Sequence, residues 1–227
     1  FRPVIDGTVL PAGPFAPVAP ALSANIPMIV GTTASEMTSL IALRDPAAFD
    51  IDEEALAVRL AAWYSATDLP KVIAKYRAMA PKSRPSDILF AAATAKMMRE
   101  GAWQMAERRV AQKGAPVWLY ELDWRTPVDG GKWGSPHSLC LPFVFDNVAI
   151  SASMVGTGPE AQTIADQMSN AWLAFARTGD PNHKGVPKWA PYDRTARTTM
   201  VFDTPAKAVR DHRGEERMLL ASLAPKT

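Results

Sequence analysis

His137 is the side chain in this sequence best suited to carry a proton. It stands in Gly134-Ser-Pro-His137-Ser-Leu-Cys-Leu-Pro-Phe-Val-Phe145, a Gly/Pro turn backed by an apolar run that would fix it against a core. An imidazole titrates near neutral pH and can serve as general base and then as general acid. A histidine base is usually oriented by a buried carboxylate on its other ring nitrogen. Three acids are placed for that task. Glu36 follows one short apolar run, Asp123 ends another and lies 14 residues before His137, and Asp146 follows the run behind His137. On residue pattern alone Glu36 and Asp123 are close rivals. Glu36 also fits a capping box, Thr33-Ala-Ser-Glu36, in which Thr33 caps a helix and Glu36 reaches back. The pattern by itself favours that structural role.

A nucleophile is harder to find. The chain contains no Gly-x-Ser-x-Gly elbow, no phosphate loop and no Gly-x-Gly-x-x-Gly fingerprint. Cys140 is three residues from His137, but its Leu-Cys-Leu-Pro-Phe setting is that of a buried packing thiol, which is inert. His183 and His212 lie in polar loops without ligand-spaced partners and read as surface residues, so no metal site is expected.

The elements that must position His137 follow from periodicity. Residues 3–24, with Pro11, Pro14, Pro17 and Pro20, cannot be helical and read as a surface loop or arm. Ile26-Pro-Met-Ile-Val30 and Val117-Trp-Leu-Tyr-Glu-Leu122 read as strands buried on both faces, as in a parallel sheet. The second strand delivers His137 through the turn-rich loop Thr126–Gly131. In open α/β folds chemistry collects in the loops after the strands.

Helices are expected over Asp52–Tyr64, Lys71–Met79, Asp87–Gln112, 159–178 and Glu215–Leu223, and a short strand over Thr199–Phe202. In the longest helix Phe90, Ala93, Met97, Gly101 and Met105 form a stripe, which reads as core packing, with Gly101 at a close helix contact. The alternation argues an α/β fold with a mainly parallel sheet. Two or three strands make a thin sheet for 227 residues, so further strands are expected ahead of Phe1.

Composition narrows the classes. With 48% hydrophobic residues the chain can bury a sizeable core. A formal net charge of +2, from 25 basic and 23 acidic residues, suggests no nucleic-acid partner. The most basic stretch, Lys207–Arg217, is interleaved with acids and reads as a solvated face. No apolar run is long enough to span a membrane. The single cysteine excludes a disulfide framework and leaves the compartment open. The opening Phe1-Arg-Pro suggests a fragment or a processed piece.

Taken together the motifs resemble a known family, the type B carboxylesterases, specifically their C-terminal part. These are α/β-hydrolases that include p-nitrobenzyl esterases and cholinesterases. The resemblance rests on Pro3-Val-Ile-Asp-Gly7 with Leu10-Pro11, Pro27-Met-Ile-Val-Gly-Thr-Thr-Ala-Ser-Glu36 and Ala115-Pro-Val-Trp-Leu-Tyr120. It continues through His137-Ser-Leu-Cys-Leu-Pro-Phe-Val-Phe145, Trp172-Leu-Ala-Phe-Ala-Arg-Thr-Gly-Asp-Pro-Asn182, Trp189-Ala-Pro-Tyr-Asp193 and Thr199-Met-Val-Phe202.

The resemblance implies that residues 1–227 are the C-terminal part of one α/β-hydrolase domain, with 44–113 a mainly helical insertion between strands. It implies that Glu36 is the triad acid and His137 the triad base, leaving Asp123 a structural role. The nucleophilic serine and oxyanion loop would lie on an N-terminal part outside this chain. The implied activity is hydrolysis of a small-molecule carboxylic ester through an acyl-enzyme, without metal or cofactor. The rival implication is a non-catalytic adhesion or binding member of the same fold. Two positions depart from the family: Cys140 stands where a glutamate is common, which lessens any preference for cationic substrates, and Ser35-Glu36 replaces Asp-Glu.

Overall fold

The computed structural model describes residues 4–223, and the statements below concern these residues. Pro3, at the head of the first family motif, lies outside them. Two apolar runs begin the sheet. Strand β1 (Met28–Thr33) pairs in parallel with β2 (Val117–Leu122), Met28 opposite Val117 and Thr33 opposite Leu122. Strand β3 (Thr199–Phe202) is parallel to β2, and β4 (Lys207–Val209) returns antiparallel on β3. The order is β1-β2-β3-β4.

Side chains alternate along β2, so the sheet separates two cores. Val117 and Leu119 face a layer built from α1 (Glu36–Ala42), α2 (Glu53–Leu60), α3 (Leu69–Met79), α4 (Pro85–Thr94) and α5 (Glu100–Ala111). These five helices lie between β1 and β2 in the chain. Trp118 and Leu122 face the other layer, made by α6 (Cys140–Val144), α7 (Ala152–Val155) and α8 (Pro159–Thr178). Helix α9 (Gly214–Ser222) packs Leu220 into the first layer. In the second layer Phe202 is fully buried, with Tyr120 and Trp189 edge-on to its ring.

Local chemistry sets the helix starts. The Asp52 carboxylate accepts the Ala55 N–H at 2.8 Å, and Glu53 and Glu54 occupy the first turn of α2. Pro85 opens α4, where the Asp87 carboxylate accepts the Arg84 N–H at 3.0 Å.

Three sequence expectations need correction. The stripe Phe90, Ala93, Met97, Gly101, Met105 holds only to Ala93. Residues Ala95–Arg99 form a π turn between α4 and α5. Its extra residue advances the buried face, so Met97 and Gly101 turn to solvent while Ala102, Trp103 and Ala106 are buried. A side chain at Gly101 would meet nothing within 4 Å, so that glycine marks no close contact. Second, β1 is not buried on both faces. Met28–Gly31 are half-buried because β1 is the edge of the sheet among the described residues. Third, Lys207–Arg217 is not simply a solvated face. Its start forms β4, and Arg213 turns inward toward Glu121.

Candidate active site

Strands β1 and β2 finish level, with Thr33 opposite Leu122, and each releases a turn at that end. The turn after β1 donates the Ala34 N–H to the Leu122 carbonyl at 2.9 Å and the Ser35 N–H to the Ser135 carbonyl at 3.0 Å. The Ser35 hydroxyl donates to the Trp133 carbonyl at 3.2 Å and accepts the Ser135 N–H at 2.7 Å. The Ser135 hydroxyl donates to the Leu122 carbonyl at 2.8 Å. Gly134 sits between them at φ +67, where a Cβ would strike the Ser35 hydroxyl. Backbone and two serines thus lace the acid turn to the histidine loop.

Glu36 begins α1 with its side chain buried. One carboxylate oxygen, Oε1, accepts the Thr33 N–H at 2.7 Å. The other, Oε2, lies 2.5 Å from Nδ1 of His137. The capping box is therefore half made: Glu36 reaches back, but the Thr33 hydroxyl has no partner and Ser35 occupies the cap position. The structural and the chemical readings of Glu36 coexist, one on each oxygen. The Glu36 side chain is 9% exposed and that of His137 is 45% exposed. With Nδ1 donating to the carboxylate, Nε2 is the nitrogen left to move a proton.

A cavity of about 560 Å³ lies against the imidazole, lined by Ser39, Leu43, Val128, Trp133, His137 and Met154 among others. A larger one, about 650 Å³, lies against the same turns, at Ser35, Arg125, Gly134 and Asp203, but does not include His137. The smaller cavity is the one that bears on chemistry at the imidazole. Cys140 is half-buried beside Tyr120, and burial, then the Glu36 carboxylate, pushes its thiol pKa up.

The other acids lie elsewhere. Asp146 accepts from the Gln162 amide at 2.8 Å. Asp123 accepts from Arg213 at 3.3 Å and lies 3.5 Å from Nε2 of His212. His212 is accordingly not a free surface residue. Its loop folds onto the end of β2, where Nε2 stands 3.6 Å from Glu121, at ion-pair distance. Burial opposes its protonation, and the Asp123 and Glu121 carboxylates overcome this and raise its pKa to about 9. His183, also half-buried, has Nε2 3.0 Å from the Gln167 carbonyl.

Ligand atoms of Glu121, Asp123 and His212 lie within 4.8 Å of one another. That cluster already holds its cations. Glu121 pairs with Arg99 at 2.8 Å and with Arg213. Burial alone would raise the Glu121 pKa; the two guanidiniums hold it well below the usual carboxylate range. Pattern reading did not find this network. The signal was Glu121 itself, a lone carboxylate inside the apolar run of β2.

The Carboxylesterase family profile matches residues 1–220. The chain belongs to the carboxylesterase family. It is 28% identical over 230 residues to the para-nitrobenzyl esterase of Bacillus subtilis, covering 97% of this chain and 43% of that protein. It is 25% identical over 217 residues to the phenmedipham hydrolase of Pseudarthrobacter oxydans, covering 93% and 42%. The structure of the Geobacillus stearothermophilus carboxylesterase EST55 at pH 6.2 superposes with a TM-score of 0.80 at 32% identity, covering 96% of this chain and 45% of that one. The chain thus spans less than half the length of these relatives and corresponds to their C-terminal part. Its mixed sheet flanked by helices is the C-terminal portion of the α/β-hydrolase fold, as the sequence reading expects.

Proposed function

We propose that the complete protein hydrolyses carboxylic esters through an acyl-enzyme, and that this chain supplies the base, His137, and the acid that orients it, Glu36. The observation that carries this reading is the 2.5 Å approach of Glu36 Oε2 to His137 Nδ1, from a buried carboxylate to a half-exposed imidazole. A serine on the N-terminal part attacks the ester carbonyl while Nε2 of His137 takes its proton. The same nitrogen returns the proton to the leaving alcohol. A water activated by His137 then releases the acid. Glu36 holds the productive tautomer and stabilises the imidazolium. The apolar cavity wall of Leu43, Val128, Trp133 and Met154 suits an uncharged ester.

The nucleophile-bearing part belongs, on this reading, along β1. No strand covers the outer edge of β1 among the described residues, and Leu141 on α6, Phe145 just after it and Leu173 on α8 are exposed on the layer against which Ile29 of β1 packs. An open strand edge and exposed apolar side chains both call for a cover.

The test is His137→Ala in the complete protein, assayed with a chromogenic p-nitrophenyl ester. The expected loss in kcat is on the order of 10⁴-fold or more. A fluorophosphonate should label a serine on the N-terminal part of the wild-type protein and label the variant far more slowly. Turnover near the wild-type level in His137→Ala refutes the assignment.

A further inference from the structure

The π turn described above has a partner in the site. Thr94 immediately precedes it and Arg99 is its last residue, five positions on. On a regular α-helix that spacing sets two side chains about 140° apart. The wider turn brings both onto the acid turn. The Thr94 hydroxyl accepts the Met37 N–H at 3.1 Å, and the Arg99 Nη2 donates to the Ala34 carbonyl at 2.9 Å. Ala34 and Met37 bracket Ser35 and Glu36. The helix therefore grips the turn carrying the carboxylate on both sides of it.

Arg99 is itself held from three directions. Its Nε donates to Glu121 at 2.8 Å, on β2, and its Nη1 to Glu216 at 2.5 Å, on α9. Tyr76, on α3, donates to the other oxygen of Glu216 at 2.5 Å. Glu121 is backed by Arg213. Thr94 and Arg99 are both buried. A guanidinium buried solely to neutralise Glu121 and Glu216 has no need of the Ala34 carbonyl, and a hydroxyl at position 94 is not required by the apolar core around α4. Burying these polar groups is costly unless each is paired, and here the pairing ends on the acid turn. A π turn inside an otherwise regular helix is also a frequent mark of a functional position.

We propose that Arg99 and Thr94 are positioning residues for Glu36, set by the π turn so that the Glu36 carboxylate meets Nδ1 of His137. The proposal rests on the esterase reading of that pair. It extends the site to a helix that touches neither the imidazole nor its cavity.

The test uses the complete protein and three variants. Arg99→Lys keeps the charge between Glu121 and Glu216 but cannot reach three partners at once. Arg99→Met combined with Glu216→Gln removes one positive and one negative charge together, so the fold keeps its charge balance. Thr94→Val keeps the shape and removes the acceptor for Met37. Each is expected to lower kcat about 10- to 100-fold, with KM changed by less than about threefold, because a misplaced base costs rate more than binding. Each should also shift or broaden the downfield proton resonance of the His137–Glu36 hydrogen bond. Folded variants with wild-type kcat and an unmoved resonance would overturn the proposal. His137→Ala, run in parallel, separates the two readings. If it leaves activity intact, the esterase assignment fails, while the resonance still decides whether Arg99 and Thr94 position Glu36.

Discussion

Replacing Glu36 by glutamine tests the site most sharply, because each carboxylate oxygen has a different partner. Oε1 accepts from the Thr33 N–H at 2.7 Å and Oε2 from Nδ1 of His137 at 2.5 Å. An amide can accept at one position only. If its oxygen stays with Thr33, its NH2 faces Nδ1, and the imidazole must place its proton on Nε2, the wrong tautomer for a base. The flipped amide restores the tautomer but sets NH2 against the Thr33 N–H. A buried donor left unpaired costs about 1–3 kcal/mol, which leaves the productive orientation roughly 5- to 150-fold depleted. The charge that stabilises the imidazolium is lost in either orientation. Together these should approach the roughly 10⁴-fold loss, about 5.4 kcal/mol, typical of the tautomer-fixing acid in a triad. Steady-state kcat on a chromogenic ester, with the complete protein, measures it. A Glu36→Gln protein within about tenfold of wild type would show that Glu36 does not set the tautomer.

Asp123→Asn should leave kcat within about threefold, since Asp123 faces Arg213 and His212 and not His137; a loss as deep as that of Glu36→Gln would mean the wrong acid has been chosen. His212 makes stability depend on pH. Its folded pKa of about 9 exceeds the ordinary value of 6.5, so its contribution is complete below pH 6.5 and fades as pH rises through 9. The unfolding free energy of the wild type, followed by denaturant titration between pH 6 and 10, should fall relative to that of His212→Gln over that window, by on the order of a few kcal/mol at most; parallel curves would refute the ion-pair role. Phe202→Ala empties a fully buried ring site among Tyr120, Trp172 and Trp189 and should cost about 3–5 kcal/mol, read as a lower denaturant midpoint at unchanged slope.

What the sequence shows and hides here follows from the range of each signal. The runs around β1 and β2, the turn holding His137 and the long amphipathic α8 all declare themselves within a window of a few residues. The contact of Glu36 with His137 does not, because Glu36 and Asp123 both follow strands and the contact spans 101 residues. The resemblance to carboxylesterases points to Glu36, and the fold sets its carboxylate against His137. The π turn left no trace in the pattern, because one extra residue changes the phase of a stripe without changing its composition. The apolar spacing continued to read true past Ala93 while the burial had already moved on. Arg99 was hidden for a related reason: its partners Glu121 and Glu216 are 22 and 117 residues away. Strand β4, with three residues, is too short for alternation to register.

Among the described residues the sheet has two unlike margins, and the difference gives it a direction. β4 is three residues long, carries the exposed Lys207 and follows Pro205, all of which discourage a neighbour. β1 offers six residues. A segment joining at that margin lies about 4.8 Å from β1, and its orientation then decides everything that follows. Aligned with β1, it ends level with Thr33 and releases its next loop beside Glu36 and His137. Opposed to β1, it sends that loop to the far end of the sheet, near Pro27. Chain polarity at one margin therefore governs which foreign groups ever reach the imidazole, before any side chain is chosen.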